Sequence, residues 1–185
     1  INYTGMQSEI ESLKRLKNKI SKVSSHYFLS RSGAIIQLVK DNKIAWHAGK
    51  SKWKNIVNLN KFSIGIELQN RGHRFGYENF PNSQIQSLIK LCKFLKKKYR
   101  IKPENFLGHS DISPQRKIDP GEKFPWKMLA KNKIGFWHNL DQKKIKKFRG
   151  QIQLTSFEEN IFLKNLHKIG YNDVRDIRSS KNIKY

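Results

Sequence analysis

Between Pro81 and Arg100 the apolar side chains Ile85, Leu88, Ile89, Cys92 and Leu95 recur at helical spacing, which gives one long helix with a face that other structure must cover. Short β-type runs surround it. Tyr27-Phe28-Leu29, the stretch 34–39, Ile44-Ala45-Trp46-His47 and Ser63-Ile64-Gly65-Ile66-Glu67-Leu68 read as strands. Arg31-Ser32-Gly33 between the first two reads as a hairpin turn, with Gly33 supplying a positive φ. Strands on both sides of an amphipathic helix point to an α/β domain, a sheet with helices laid against it. Asn82 or Ser83 is placed to cap the long helix. Lys96, Lys97 and Lys98 fall in its last turn, where the helix dipole favours cations. Cys92 lies on the apolar stripe and reads as an inert core thiol; as the lone cysteine it forms no internal disulfide.

Ile1-Asn2-Tyr3-Thr4 reads as the end of a strand already under way, so residues upstream are expected. Ser8 with Glu11 makes a capping box for a helix over 7–21, with Ile10, Leu13, Leu16 and Ile20 as its apolar face. A short strand over 105–108 then delivers His109 into a loop. After Trp137 the composition changes: 141–149 is strongly basic, Ser156 with Glu159 opens a final helix, Phe162, Leu166 and Ile169 share a face, and Gly170 stops it. The expected division is therefore 1–137 as one domain and 138–185 as a partial helical module, too short to bury much core alone.

The 185 residues carry a net charge of +24, with lysine supplying 29 of the 38 positive side chains. Such a surface attracts polyanions, either nucleic acid or a bacterial cell wall. No nucleic-acid reader motif stands beside the charge, and the excess of Lys, Asn and Ile is what A/T-rich codons produce. No apolar run approaches the roughly 18 residues of a spanning helix. Aromatics at 11% exclude a wholly disordered chain.

The segment Gly108-His109-Ser110-Asp111-Ile112-Ser113-Pro114-Gln115-Arg116-Lys117-Ile118-Asp119-Pro120-Gly121 concentrates the chemistry. It offers an imidazole, two carboxylates and a lysine. A catalytic zinc site takes three such protein ligands and keeps a fourth position open. Asp119 is biased toward extended backbone by Pro120, and Lys117 is positioned to donate to a developing oxyanion. The same spacing also fits a capped loop with no metal. Asp111 and Asp119 both stand as partners of His109.

Four separated segments carry a resemblance: Val23-Ser24-Ser25-His26-Tyr27-Phe28, Ala45-Trp46-His47-Ala48-Gly49, Ser63 through Leu68, and His109 through Gly121. In order and approximate spacing they resemble the zinc-dependent N-acetylmuramoyl-L-alanine amidases of the AmpD/AmiD type, related to the peptidoglycan recognition proteins. The resemblance spans 1 to about 137, and the tail is similar to the front of the peptidoglycan-binding module of AmiD-type enzymes. It implies a single mixed β-sheet flanked by helices and a Zn2+ cofactor. It also implies hydrolysis of the bond between the lactyl group of N-acetylmuramic acid and L-alanine. His109 and Asp119 become metal ligands, with Asp119 preferred because the family's aspartate immediately precedes Pro-Gly. Glu67 becomes the general base and Lys117 the oxyanion donor. Lys22 and Arg116 would meet stem-peptide carboxylates, and Trp46 and His47 would line the groove. AmiD-type relatives sit in the bacterial envelope and AmpD-type relatives in the cytoplasm; the AmiD-like features favour the envelope.

Position 2 departs from the family. Its first ligand is a histidine in a His-Tyr-Thr triplet, where this chain has Asn2-Tyr3-Thr4. An amide oxygen is a weaker zinc ligand than imidazole. Three outcomes are open: Asn2 serves through its oxygen or a water, His26 or His47 substitutes, or the chain binds peptidoglycan without turnover. His26 matches no family ligand position and reads as a structural histidine. His73, His138 and His167 carry no motif and read as surface residues.

Overall fold

The computed structural model describes residues 1–141, 143 and 155–171. Its centre is a four-stranded mixed sheet of β1 (Asn2–Tyr3), β2 (Tyr27–Leu29), β3 (Ile35–Gln37) and β6 (Ile66–Leu68), in the order β1-β6-β2-β3. β6 runs parallel to both neighbours, and β2 and β3 form the antiparallel hairpin, with Gly33 at φ +96 in its turn. A separate two-stranded ribbon joins β4 (Lys52–Trp53) to β5 (Ile56–Val57). The helices are α1 (Glu9–Lys17), α2 (Asn82–Tyr99), α3 (His109–Ile112), α4 (Trp126–Lys131) and α5 (Ser156–Ile169). This is the α/β class, with a single mixed sheet flanked by helices and a ribbon beside it.

Strand alternation sorts the molecule into a packed side and a chemical side. Tyr27, Leu29, Ile66 and Leu68 meet Ile85, Leu88, Ile89, Cys92 and Leu95 of α2 in the main core. Each fully buried aliphatic side chain there contributes about 1.5–3 kcal/mol. Gln84 anchors the helix by donating to the carbonyls of Leu29 and Gln69, at 3.0 and 3.1 Å. Between those core positions, Asn2, Glu67 and Phe28 form one rung across β1, β6 and β2, on the opposite face. The single carboxylate in Ile66-Glu67-Leu68 thus points away from the oil.

Several local expectations need correcting. The first helix stops at Lys17, because Asn18 turns extended and its side chain caps a 3₁₀ turn over Lys19–Ser21. Its capping box holds, yet Ile10 and Ile20 are 80% and 87% exposed, and Ser12 and Leu16 are the residues that face inward. Ser12 does so because its hydroxyl finds Gln69 Oε1 at 2.6 Å. The stretch 44–47 is no strand: Trp46 exchanges hydrogen bonds with Ser24 instead of joining a ladder. Residues 105–108 form no strand either, since a 3₁₀ turn occupies Pro103–Asn105, and His109 opens α3 rather than sitting in a loop. Pro81 is the N-cap of α2, and Ser83 donates to Arg31 O. The last helix is capped by Thr155 with Glu158, one residue earlier than the Ser156–Glu159 reading. Gly170 ends it at φ +133, although Phe162 and Ile169 stay exposed. The basic stretch 141–149 falls largely outside the described residues.

Asp41 ties the hairpin to the long helix. Its carboxylate accepts from Tyr27 (2.6 Å), Gln37 (2.9 Å), Lys98 (2.9 Å) and Tyr99 (2.8 Å). Burial alone would raise its pKa, but the bonds from Tyr27, Lys98 and Tyr99 outweigh it and hold the group below its ordinary 3.8. A depressed carboxylate stabilises the fold above its unfolded pKa and loses that contribution as pH falls through the folded value. Asp41→Asn is expected to cost about 2 kcal/mol at neutral pH, less than four bonds suggest because Lys98 is solvated. Urea titration checks it: the gap between variant and wild type should close below pH 3.8.

Candidate active site

The site gathers on the Asn2–Glu67–Phe28 face where the segment after α2 returns to the sheet. His109 N–H donates to Ile1 O at 3.1 Å, and Ser110 N–H to Asp119 O at 2.9 Å, so backbone bonds draw both ends of the 109–119 loop beside β1. His109 Nδ1 lies 3.1 Å from Asp119 Oδ2, and both residues are buried. The other ring nitrogen, Nε2, meets Ala48 O at 3.1 Å. That carbonyl also accepts from Arg116 at 2.8 Å, and the same guanidinium nitrogen reaches Lys50 O at 3.1 Å. An oxygen acceptor thus faces each ring nitrogen, the Asp119 carboxylate at Nδ1 and the Ala48 carbonyl at Nε2.

Glu67 is buried on its rung, and its Oε2 has no hydrogen-bond partner among the described residues. Burial raises its pKa well above the usual carboxylate value, and the charge of Asp119 pushes it further up. Lys117, half-buried, opposes that shift by its own positive charge. Asn2, pairing with Glu67 across the ladder, is 2% exposed; its Nδ2 donates to Ile66 O over a long 3.4 Å.

His47 is buried nearby, and burial pushes its imidazole down to about 3, so it is neutral. Gly65 has no room for a side chain, because a Cβ there would lie 2.2 Å from the His47 ring. Asn60 Oδ1 accepts from the backbone N–H of both His47 and Ala48, at 3.0 and 2.8 Å. Trp46 is 51% exposed beside them. His26 is fully engaged: Nδ1 accepts from Gly65 N–H and Nε2 donates to Lys43 O, both at 3.0 Å. This is a structural histidine, as its mismatch to every ligand position of the family implied.

The loop therefore brings together His109, Asp119, Glu67, Lys117, Asn2, His47 and Arg116. Lys22 sits apart from that group, exposed at the left-handed end of a 3₁₀ turn, two residues from the Ser24 that bonds Trp46. Asp111 is not hydrogen-bonded to the His109 ring; its Oδ2 accepts from Gly108 N–H at 2.7 Å. His73, read as an idle surface residue, bonds Tyr3 OH and Glu122 at 2.9 Å each and stacks on Tyr77. Tyr77 in turn donates to Pro120 O at 2.6 Å, steadying the residue after Asp119. Tyr77, Ala48 O and Asn60 were missed, because support from backbone or from a distant tyrosine leaves no spacing signature. Among the described residues no three His, Cys, Asp or Glu side chains are grouped to hold a metal ion. With asparagine at position 2, the strong donors number two.

Comparison with known proteins fits this geometry. The family model for N-acetylmuramoyl-L-alanine amidase matches residues 1–122. The chain belongs to that family. As a member it is 44% identical over 149 residues to N-acetylmuramoyl-L-alanine amidase AmiD of Escherichia coli, covering 74% of this chain and 53% of the relative. It is 42% identical over 106 residues to 1,6-anhydro-N-acetylmuramyl-L-alanine amidase AmpD of Haemophilus influenzae, covering 57% and 55%. The chain spans about half the length of these curated relatives. A solved complex of E. coli AmiD with the substrate anhydro-N-acetylmuramic acid-L-Ala-D-gamma-Glu-L-Lys superposes with a TM-score of 0.77. Identity is 39%, over 92% of this chain and 70% of that one. A complex of AMPDH3 from Pseudomonas aeruginosa with an anhydromuramic pentapeptide gives 0.78 at 31% identity, over 92% and 72%. Among the described residues no helix is long and apolar enough to cross a membrane.

Proposed function

We propose that this chain hydrolyses the amide between N-acetylmuramic, or anhydromuramic, acid and L-alanine in peptidoglycan or muropeptides. The observation that carries the reading is the buried convergence of His109 Nδ1 and Asp119 Oδ2, 3.1 Å apart, beside a Glu67 whose Oε2 is unpartnered. Two buried carboxylates, Glu67 and Asp119, meet a buried imidazole here, and a nitrogen–oxygen donor pair suits a divalent cation. His109 and Asp119 would hold zinc, with the Asn2 amide oxygen as a weak third donor. Bound there, zinc would act as a Lewis acid on the scissile carbonyl and on water.

The chain's own residues supply the rest. Glu67 Oε2, without a competing bond, takes the proton of the attacking water and returns it to the departing L-alanine nitrogen. Lys117 donates to the oxyanion as it develops. Neutral His47 and exposed Trp46 offer a wall for the muramyl ring, while Arg116 and Lys22 attract stem-peptide carboxylates. Residues 138–185 serve as the front part of a peptidoglycan-binding module, a reading supported by superposition on AmiD over 92% of the chain. The similarity to AmiD favours the bacterial envelope over the cytoplasm as its compartment. The test is incubation of the zinc-loaded chain with an anhydromuramyl tripeptide and mass spectrometry of the products. Release of a tripeptide with a free L-alanine amine is expected. Position 2 motivates one other reading: a metal-free, inert protein that still sediments with cell-wall sacculi would be a peptidoglycan binder.

A further inference from the structure

The end of α5 reaches back to the turn that launches His109. Lys54 N–H donates to Gly170 O at 2.9 Å, and Gly170 lies flat on Trp53, where a Cβ would approach the indole to 2.7 Å. The Tyr171 ring meets the same indole edge-on, with centroids 5.1 Å apart. These contacts suffice to hold the helix end against the ribbon β4–β5. Tyr171 does more. Its hydroxyl donates to Asp111 Oδ1, while Asp111 Oδ2 accepts from Gly108 N–H at 2.7 Å. One carboxylate thus bridges the tail to the residue immediately before His109. Tyr171 also lines a groove of about 800 Å3 together with Lys50, Asn58 and Arg116. Arg116 is the residue that shares the Ala48 carbonyl with His109 Nε2.

We propose that Tyr171 is a positioning residue: its hydroxyl, acting through Asp111, fixes the Gly108–His109 turn and with it the aim of the imidazole at Asp119. A hydrogen bond to a charged acceptor is short and directional, so it can set the angle of a turn that main-chain bonds alone leave softer. Only the kinetic consequence rests on the amidase reading; the geometric one does not.

Tyr171→Phe keeps the ring on Trp53 and removes only the link to Asp111. In the metal-free protein it should shift the His109 imidazole ¹⁵N resonances and the Gly108 amide, with the melting temperature within about 4 °C of wild type. In the zinc-loaded enzyme, kcat on the anhydromuramyl tripeptide should fall about tenfold with KM unchanged, as for other supports of a reacting group. Asp111→Ala should do the same, and the double variant should be no worse than Asp111→Ala, since both cut one path. Unmoved His109 resonances in Tyr171→Phe, or losses that add, would overturn the proposal. A wild type without turnover removes the amidase reading, and the resonances still decide the role of Tyr171.

Discussion

Glu67→Gln should lower turnover of the anhydromuramyl tripeptide by about three orders of magnitude, the span of a lost general base. The amide keeps the size and the rung position but takes no proton at neutral pH. Zinc affinity should fall much less than turnover, because His109 and Asp119 remain. The fold should not suffer either. A carboxylate buried without a partner for Oε2, beside the charge of Asp119, is a cost that a neutral amide removes. The pH dependence has a definite sign. Glu67 has a raised pKa in the folded protein, so its contribution to stability is present below the unfolded pKa and drains away as pH rises through the folded value. Metal-free Glu67→Gln should therefore gain on wild type in thermal melts as pH increases. A variant that keeps a tenth or more of wild-type kcat would remove Glu67 from the proton path.

Asn2→His should raise zinc affinity about a hundredfold, since an imidazole replaces an amide oxygen in a site with two strong donors. Competition against a chromophoric chelator reads this directly. The larger ring enters a position that is 2% exposed, so the metal-free variant should be less stable by about 1–3 kcal/mol. Zinc should restore that loss, because a ligand bound only by the folded state stabilises it by mass action. Unchanged affinity would mean that position 2 does not face the metal, and the pairing of Asn2 with Glu67 would need another explanation.

The sequence and the structure agree most where one physical signal dominates. The five apolar positions of α2 follow one period, and all five lie in the main core. The hairpin was legible because Gly33 punctuates two β-branched and aromatic runs. The stretch 44–47 misled because Ala45 and His47 are buried by a turn, held by Ser24 and Asn60, rather than by strand pairing. Alternating burial looks alike in both cases. Within the candidate site, the residues that resemble a family motif could be named, and the loop 109–119 does bring His109 to Asp119. The supports could not. Tyr77 holds Pro120 from 43 positions away and Tyr171 holds Asp111 from 60, and neither spacing carries a local signature.

Arg116 is held in place before any ligand arrives. Most surface arginines lose considerable side-chain freedom when an anion captures them, and that loss subtracts from affinity. Here the guanidinium is already moored to two main-chain oxygens, those of Ala48 and Lys50. An incoming carboxylate would find a fork whose motion has been surrendered during folding, so recognition there trades little entropy for its electrostatic gain. Lysine in its place would keep the charge and forfeit the mooring.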